Sequence, residues 1–264
     1  MAHSRIEQIF SKLKLQKQKA VMPYFMAGYP TFDGSKEAIL AAVRAGADLI
    51  ELGIPFSDPL ADGPVIQEAA KVALGNGTTT EGVFELARSI ADECKVPIVL
   101  MTYYNPVYRY GLEGFAKRAA ESGVSGLIVP DLPPEESDPL RKAARSQGID
   151  TIFLVAPTST PKRIAAAAEA STGFVYCVSI TGVTGERAQL PPNLVDFVEG
   201  VRSIADKPVA VGFGISNAEQ ARQVAEIADG VIIGSALVRL IGQSGPDAPE
   251  RIASFIATIK DACK

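Results

Sequence analysis

LIELGIPFSDPLADGP, at Leu49–Pro64, joins an apolar run to a long loop. The apolar residues end at Gly53, which is typical of a buried strand and its termination. Three prolines and Gly63 in the remainder exclude regular helix or strand there. The stretch therefore predicts a strand at Asp48–Leu52 whose exit loop emerges at one edge of a sheet.

Two carboxylates in this stretch are candidates for acid–base chemistry. Glu51 lies inside the apolar run, where an ionised side chain is costly unless it is paired or protonated. Carboxylates in such surroundings have raised pKa values and often transfer protons. A structural ion pair is the alternative for Glu51, and a turn residue before glycine is the alternative for Asp62. The stretch alone leaves both alternatives open.

Apolar runs alternate with helical patterns along the whole chain of 264 residues. The predicted strands are Ala20–Met26, Asp48–Leu52, Pro97–Thr102, Ser125–Val129, Asp150–Val155, Phe174–Ser179, Pro208–Val211 and Gly230–Ile233. Eight strand–helix units without a linker predict a single α/β domain over residues 1–264, a (β/α)₈ TIM barrel. An open doubly wound sheet is the alternative, but Gly28-Tyr29-Pro30 after the first strand is not a dinucleotide-binding fingerprint.

Several predicted helices are additional to the eight units. They are an N-terminal helix at Ser4–Leu13, a second helix after strand 2 (Val65–Leu74 before Glu81–Glu93) and a short helix after strand 8 (Ala236–Ile241 before Pro249–Ala262). The other predicted helices are Lys36–Ala45, Leu112–Glu121, Glu135–Ser146, Pro161–Ala170, Leu194–Ile204 and Ala218–Ala228. In such a barrel all strand exits share one face, so Glu51 is expected to face the exits of strands 6 to 8.

Glycines mark those three exits. The motifs are Gly182-Val183-Thr184-Gly185, Gly212-Phe213-Gly214-Ile215 and Gly234-Ser235, with Thr184, Gly185, Gly214, Gly234 and Ser235 as candidate ligand contacts. Glycine lets backbone N–H groups approach an anion closely. Gly234-Ser235 opens the short extra helix, where barrels commonly bind phosphate. No lysine or arginine stands at these exits, so we expect backbone N–H groups and Ser235 to hold a phosphate.

Composition excludes several functional classes. A net charge of −4 argues against a nucleic-acid partner. His3 is the only histidine, so neither a Ser–His or Cys–His catalytic unit nor a His-rich zinc site is available. Three widely spaced cysteines fit a reducing compartment rather than a disulfide framework. The N-terminus lacks an apolar signal core and no run reaches membrane-spanning length, so we expect a cytoplasmic protein.

The space between the carboxylates and the glycines is expected to be apolar. Its predicted lining residues are Tyr24, Leu100, Tyr103, Leu154, Tyr176 and Phe213. Together they suggest a flat hydrophobic portion of a substrate. No predicted strand or immediate exit carries a lysine, which excludes a Schiff-base aldolase, and the ligands of a metal aldolase are missing. Acid–base catalysis by Glu51, with Asp62 as an electrostatic or hydrogen-bonding partner, remains.

The run Glu51–Pro64 resembles the tryptophan synthase alpha subunit family, as do Pro130-Asp131-Leu132-Pro133 and the three glycine exits. The resemblance covers essentially the whole chain. It implies cleavage of indole-3-glycerol phosphate to indole and glyceraldehyde 3-phosphate. It also implies that Glu51 is the general acid–base, and that Asp62 holds the indole N–H and stabilises positive charge there. The remaining implied contacts are Tyr176 beside the substrate and Gly185, Gly214, Gly234 and Ser235 around the phosphate.

The resemblance further implies a partner. A beta subunit would carry pyridoxal phosphate and consume the indole in an alpha2beta2 heterotetramer, with no cofactor in this chain. Gly53–Gly63 and Ile180–Pro192 resemble the loops that close over substrate and signal to that partner, and Tyr24 stands where some relatives have Phe. A free-standing indole-releasing lyase and a catalytically idle barrel are the alternatives. The intact Glu51/Asp62 pair argues against the idle barrel, because an idle scaffold has no need of a costly carboxylate in a strand.

Overall fold

Eight parallel strands close into a barrel in the computed structural model, which describes residues 4–178, 190–212 and 214–264. The strands are β1 (Ala20–Met26), β2 (Ile50–Gly53), β3 (Ile98–Met101), β4 (Val124–Ile128), β5 (Asp150–Val155), β6 (Val175–Val178), β7 (Val209–Gly212) and β8 (Gly230–Ile233). Each strand pairs with its neighbours in sequence order, and β1 pairs with β8 to close the sheet. The predicted (β/α)₈ barrel is therefore confirmed.

Helices surround this sheet. In the described ranges they are α1 (Arg5–Leu15), α2 (Phe32–Arg44), α3 (Pro64–Gly75), α4 (Thr80–Glu93), α5 (Tyr104–Tyr110), α6 (Leu112–Glu121), α7 (Asp138–Ser146), α8 (Pro161–Ala170), α9 (Leu194–Ile204), α10 (Ala218–Ile227), α11 (Ser235–Ser244) and α12 (Ala248–Ala262). None of them combines the length and the hydrophobicity that a bilayer crossing requires. The extra helices predicted after strands 2 and 8 are present as α3 and α11.

Helix α1 covers the amino-terminal end of the barrel. Ser4 caps it through a reciprocal pair of hydrogen bonds with Glu7, which satisfies two backbone N–H groups at the helix start. Its apolar face inserts Ile6, Phe10 and Leu13 into the hydrophobic cluster that fills the barrel interior. The carboxyl ends of the strands therefore form the open end, which we call the mouth.

Three predicted boundaries are wrong for identifiable reasons. Helix α2 begins at Phe32 rather than Lys36, because the Thr31 side chain caps it by accepting a hydrogen bond from Gly34 N–H. Helix α5 begins at Tyr104, directly after the third strand, where the sequence analysis predicts no helix. The predicted helix Glu135–Ser146 is divided into a 3₁₀ turn and α7. Of the remaining predicted elements, β1, β5, β8, α6, α8 and α9 have the predicted bounds, and the others differ by one to three residues at their ends within the described ranges.

Candidate active site

Glu51 points into the barrel from the middle of β2. Its neighbours Ile50 and Leu52 belong to the helix-facing core, so the alternation of a strand directs Glu51 inward. It is 4% exposed, and its Oε1 atom has no hydrogen-bond partner in the described part of the chain. Burial, followed by the nearby Asp62 carboxyl, raises its pKa to about 8. At neutral pH Glu51 is therefore protonated and able to donate a proton.

Asp62 is carried back over the mouth by the loop that follows β2. Its N–H donates to Pro59 O at 3.1 Å, and its own carbonyl accepts from Gln67 Nε2 at 2.9 Å. Burial raises the pKa of its carboxyl to about 6, although hydrogen bonding from Tyr103 acts in the opposite direction. Two neighbouring carboxyl groups thus differ in protonation state at neutral pH, with Glu51 neutral and Asp62 ionised.

Tyr103 fixes this loop from the exit of β3. Its hydroxyl oxygen accepts a hydrogen bond from Ala61 N–H at 3.0 Å, and its ring lies 5.5 Å from that of Phe56, centroid to centroid. Burial and the nearby Asp62 raise the pKa of the phenol well above its usual value, so it remains a proton donor. The sequence predicts a lining residue here, and the structure adds contacts with the loop that carries Asp62.

Tyr24 and Tyr176 place their hydroxyl groups over glycines of adjacent strands. A Cβ atom added to Gly53 would lie 2.1 Å from the Tyr24 hydroxyl oxygen, and one added to Gly212 would lie 2.7 Å from that of Tyr176. Tyr24 is also paired in register with Glu51. Burial, followed by the two carboxylates, raises the pKa of both phenols well above the usual value. Both tyrosines therefore bring neutral, polar groups to the mouth.

Leu100 does not line the mouth, which contradicts its predicted role. It is fully buried in the helix-facing core, whereas the adjacent residues Val99 and Met101 pack with the barrel interior. Met101 occupies the inward position at the end of β3, where it packs against the cluster that contains Tyr24. Because the whole strand is apolar, its sequence carries no alternation from which the inward face is apparent.

Other interior residues complete the apolar wall. Leu154 is half-buried near the end of β5, where it is paired with Tyr176 and packs against the interior cluster. The sequence interpretation missed Ile66 and Ile128. Ile66 packs in the cluster of Tyr24, and Ile128 lies in the interior cluster. Ile66 lies two residues after Pro64, at the start of α3. The start of that helix was therefore the sequence signal from which the position of Ile66 could have been inferred.

The exits of β7 and β8 offer backbone donors to an anion at the same mouth, and β1 separates β8 from β2. Ser235 is the first residue of α11 and is 6% exposed, and the preceding Gly234 would accommodate a Cβ without any contact within 4 Å. Gly214 adopts a φ of +69°, which favours glycine. The positive end of the α11 dipole adds to these donors. Thr184, Gly185 and Phe213, the other predicted contacts on this side, lie outside the described residues.

These groups together are suited to proton transfer on an anchored anionic substrate. A neutral carboxylic acid, a carboxylate and neutral phenols face a hydrophobic space that is also bordered by the N-terminal half of α11, through Val238. Among the described residues, no three or more His, Cys, Asp or Glu side chains form a group able to hold a metal ion.

Residues 10–263 match the model of the family described as Tryptophan synthase alpha chain. The chain belongs to the tryptophan synthase alpha chain family. It is 48% identical over 260 residues to the tryptophan synthase alpha chain of Gloeobacter violaceus, covering 98% of this chain and 94% of that relative. A second alpha chain, from Opitutus terrae, is 48% identical over 256 residues, covering 97% and 96% respectively.

Solved structures of the family share the same architecture. A chain of Mycobacterium tuberculosis tryptophan synthase superposes with a TM-score of 0.92 at 39% identity, and 99% of each chain is covered. The alpha subunit from Legionella pneumophila superposes with a TM-score of 0.93 at 35% identity, again with 99% of each chain covered. Similarity that extends over whole chains shows that this chain shares the barrel architecture of the family.

Proposed function

We propose that this chain cleaves indole-3-glycerol phosphate to indole and D-glyceraldehyde 3-phosphate by a retro-aldol reaction, in the last steps of L-tryptophan biosynthesis. The observation that carries the proposal is the pair of buried carboxyl groups, with pKa values of about 8 and about 6, in the mouth of an alpha chain family barrel. An apolar wall beside them suits an indole ring, and the start of α11 suits a phosphate.

Glu51 is the acid–base group of this mechanism. As a neutral acid it donates its proton to C3 of the indole ring, which places positive charge on the ring nitrogen. The resulting carboxylate then accepts the proton of the hydroxyl group on the carbon attached to C3. The O–H electron pair forms the aldehyde C=O, and the electrons of the broken C–C bond return to the ring. Protons and electrons balance, and Glu51 ends in its starting state.

Asp62 is the electrostatic partner. Its carboxylate accepts a hydrogen bond from the indole N–H, and its negative charge stabilises the positive charge that develops on that nitrogen after protonation of C3. The lower pKa of Asp62 keeps it ionised while Glu51 is still protonated. The neutral phenols of Tyr24 and Tyr176 add no competing negative charge beside the ring.

The phosphate end is held away from the chemistry. Ser235 and the first N–H groups of α11 bind the phosphate oxygens, which fixes the glycerol chain across the mouth. Binding at this end orients the scissile bond toward Glu51, so binding energy at the phosphate contributes to the rate of bond cleavage.

Indole is passed to a beta subunit in this proposal. That partner holds the pyridoxal phosphate, whose chemistry consumes indole, and the expected assembly is an alpha2beta2 heterotetramer in the cytoplasm. Proton transfer and charge stabilisation at the indole ring use only carboxyl groups of this chain, with neither a metal ion nor a lysine Schiff base.

The test measures cleavage of indole-3-glycerol phosphate by the wild type, E51Q and D62N, each alone and with a beta subunit. We expect E51Q to lower kcat by about 100-fold or more, as loss of general acid–base catalysis does. D62N should also lower kcat strongly while the affinity for glycerol 3-phosphate, a probe of the phosphate end, stays unchanged. Near-normal turnover of either variant refutes the mechanism. Indole release that is unaffected by the beta subunit would favour a free-standing lyase.

A further inference from the structure

We propose that Asp131 is a positioning residue for Asp62 and that it acts through Tyr103. This inference rests on the proposed function of Asp62. The exits of β4, β3 and β2 are connected in that order by hydrogen bonds that cross between loops. Asp131 stands at the first of these exits and Asp62 at the last, so the position of the reacting carboxylate depends on a residue two strands away.

The first connection joins the exit of β4 to the start of α5. Tyr104 N–H donates to Asp131 Oδ1 at 2.8 Å. Helix α5 has no side-chain cap of its own, because the residue at its N-cap is Tyr103. Asp131 supplies the missing acceptor from a neighbouring loop, and a negative charge at a helix N-terminus is favourable.

Asp131 is itself held in place. The next residue, Leu132, is buried in the helix-facing core and donates its N–H to Val129 O at 3.1 Å. One residue before Tyr103, Thr102 N–H donates to Ile128 O at 3.1 Å. Tyr103 is thus bracketed by two hydrogen bonds to the β4 exit, one on each side of it in sequence.

The second connection joins Tyr103 to the loop after β2. The Tyr103 hydroxyl accepts the Ala61 N–H at 3.0 Å and interacts with the carboxyl of Asp62. Its ring also packs against Phe56, near the other end of the same loop. A phenol reaching across from another strand can hold Asp62 only while its own backbone is fixed, and the Asp131 hydrogen bond fixes it.

The experiment is a double-mutant cycle on kcat for indole-3-glycerol phosphate cleavage, with D131A, Y103F and the double variant. We expect D131A to lower kcat by about tenfold, because a small displacement of a reacting group, here the Asp62 carboxylate, lowers the rate of the chemical step. D131N keeps the acceptor oxygen and should remain within about twofold of the wild type. In the Y103F background, D131A should add less than about twofold, because coupled residues are not additive. The Kd of glycerol 3-phosphate should be unchanged throughout.

Thr79 offers a matched control. Its exposed side chain caps α4 by accepting Gly82 N–H at 3.1 Å on the same face of the barrel. T79A therefore removes a helix cap without touching Tyr103, and its kcat should stay within about twofold of the wild type. Urea midpoints of T79A and D131A measure the loss of stability that each lost cap causes.

The outcomes separate the two proposals. If D131A changes kcat no more than T79A does, or if its effect multiplies fully with that of Y103F, the positioning role is refuted. If D62N abolishes turnover while D131A turns over substrate as fast as the wild type, only the positioning role fails. If D62N itself retains near-normal turnover, the proposed mechanism fails independently of Asp131.

Discussion

Replacing Glu51 by glutamine should stabilise the protein while it abolishes catalysis. The folded chain binds the proton of Glu51 up to a pKa of about 8, whereas the unfolded chain releases it near 4.5. Between these values the unfolded state binds fewer protons, so the stability of the wild type falls as pH rises. The neutral amide of the E51Q protein does not titrate and carries no such penalty.

The size of the effect follows from the two pKa values. The slope is about 1.4 kcal/mol per pH unit between the unfolded and folded pKa values. At pH 7 the accumulated penalty in the wild type is on the order of 3 kcal/mol. For a chain of this size, that difference corresponds to a Tm higher by roughly 6 to 12 °C in E51Q. Near pH 4.5 the two proteins should have nearly equal stability.

Urea unfolding of the wild type and E51Q at half-unit intervals from pH 4.5 to pH 8 measures this difference directly. Asp62 titrates in both proteins, so the difference between them isolates the contribution of Glu51 and of its coupling to Asp62. A stability difference that does not change with pH would show that Glu51 is not held protonated in the fold. Glu51 would then also be excluded as the proton donor of the reaction.

The kcat/KM for cleavage should rise as Asp62 ionises through about pH 6 and fall as Glu51 ionises through about pH 8; a flat profile over this range would contradict the assignment. S235A should lower kcat/KM by about tenfold, since a phosphate hydrogen bond is lost, and an unchanged kcat/KM in steady-state kinetics would contradict that contact. G53A should destabilise the fold by about 1–3 kcal/mol because its Cβ meets the Tyr24 hydroxyl. The control is G75A, at a position where nothing lies within 4 Å; equal urea midpoints for the two variants would contradict this steric argument.

The barrel and its buried carboxyl group were predictable because their signals are local. A carboxylate inside an apolar run identifies Glu51 without knowledge of the fold. The alternation of strands and helices is also local, and it determines which ends of the strands share a face. The glycine before Ser235 predicted the start of α11 to within one residue.

The errors arose where the information is not local. All four residues of β3 are apolar, so the inward position of Met101 and the outward position of Leu100 depend on register with β2. Helix α5 depends on an acceptor 27 positions away in the chain, at Asp131. The contact between Tyr103 and Ala61 likewise spans 42 positions. Such contacts are determined by the closed sheet, and a single sequence does not display them.

Helix α1 closes the amino-terminal end of the barrel. Ile6, Phe10 and Leu13 seal the end opposite the strand exits with tightly packed apolar side chains. Because these side chains close that end in the described part of the chain, a ring compound released beside Glu51 is expected to leave by the same rim through which the phosphate ester entered. Any protein that receives this compound without losing it to bulk water must therefore dock over the rim itself.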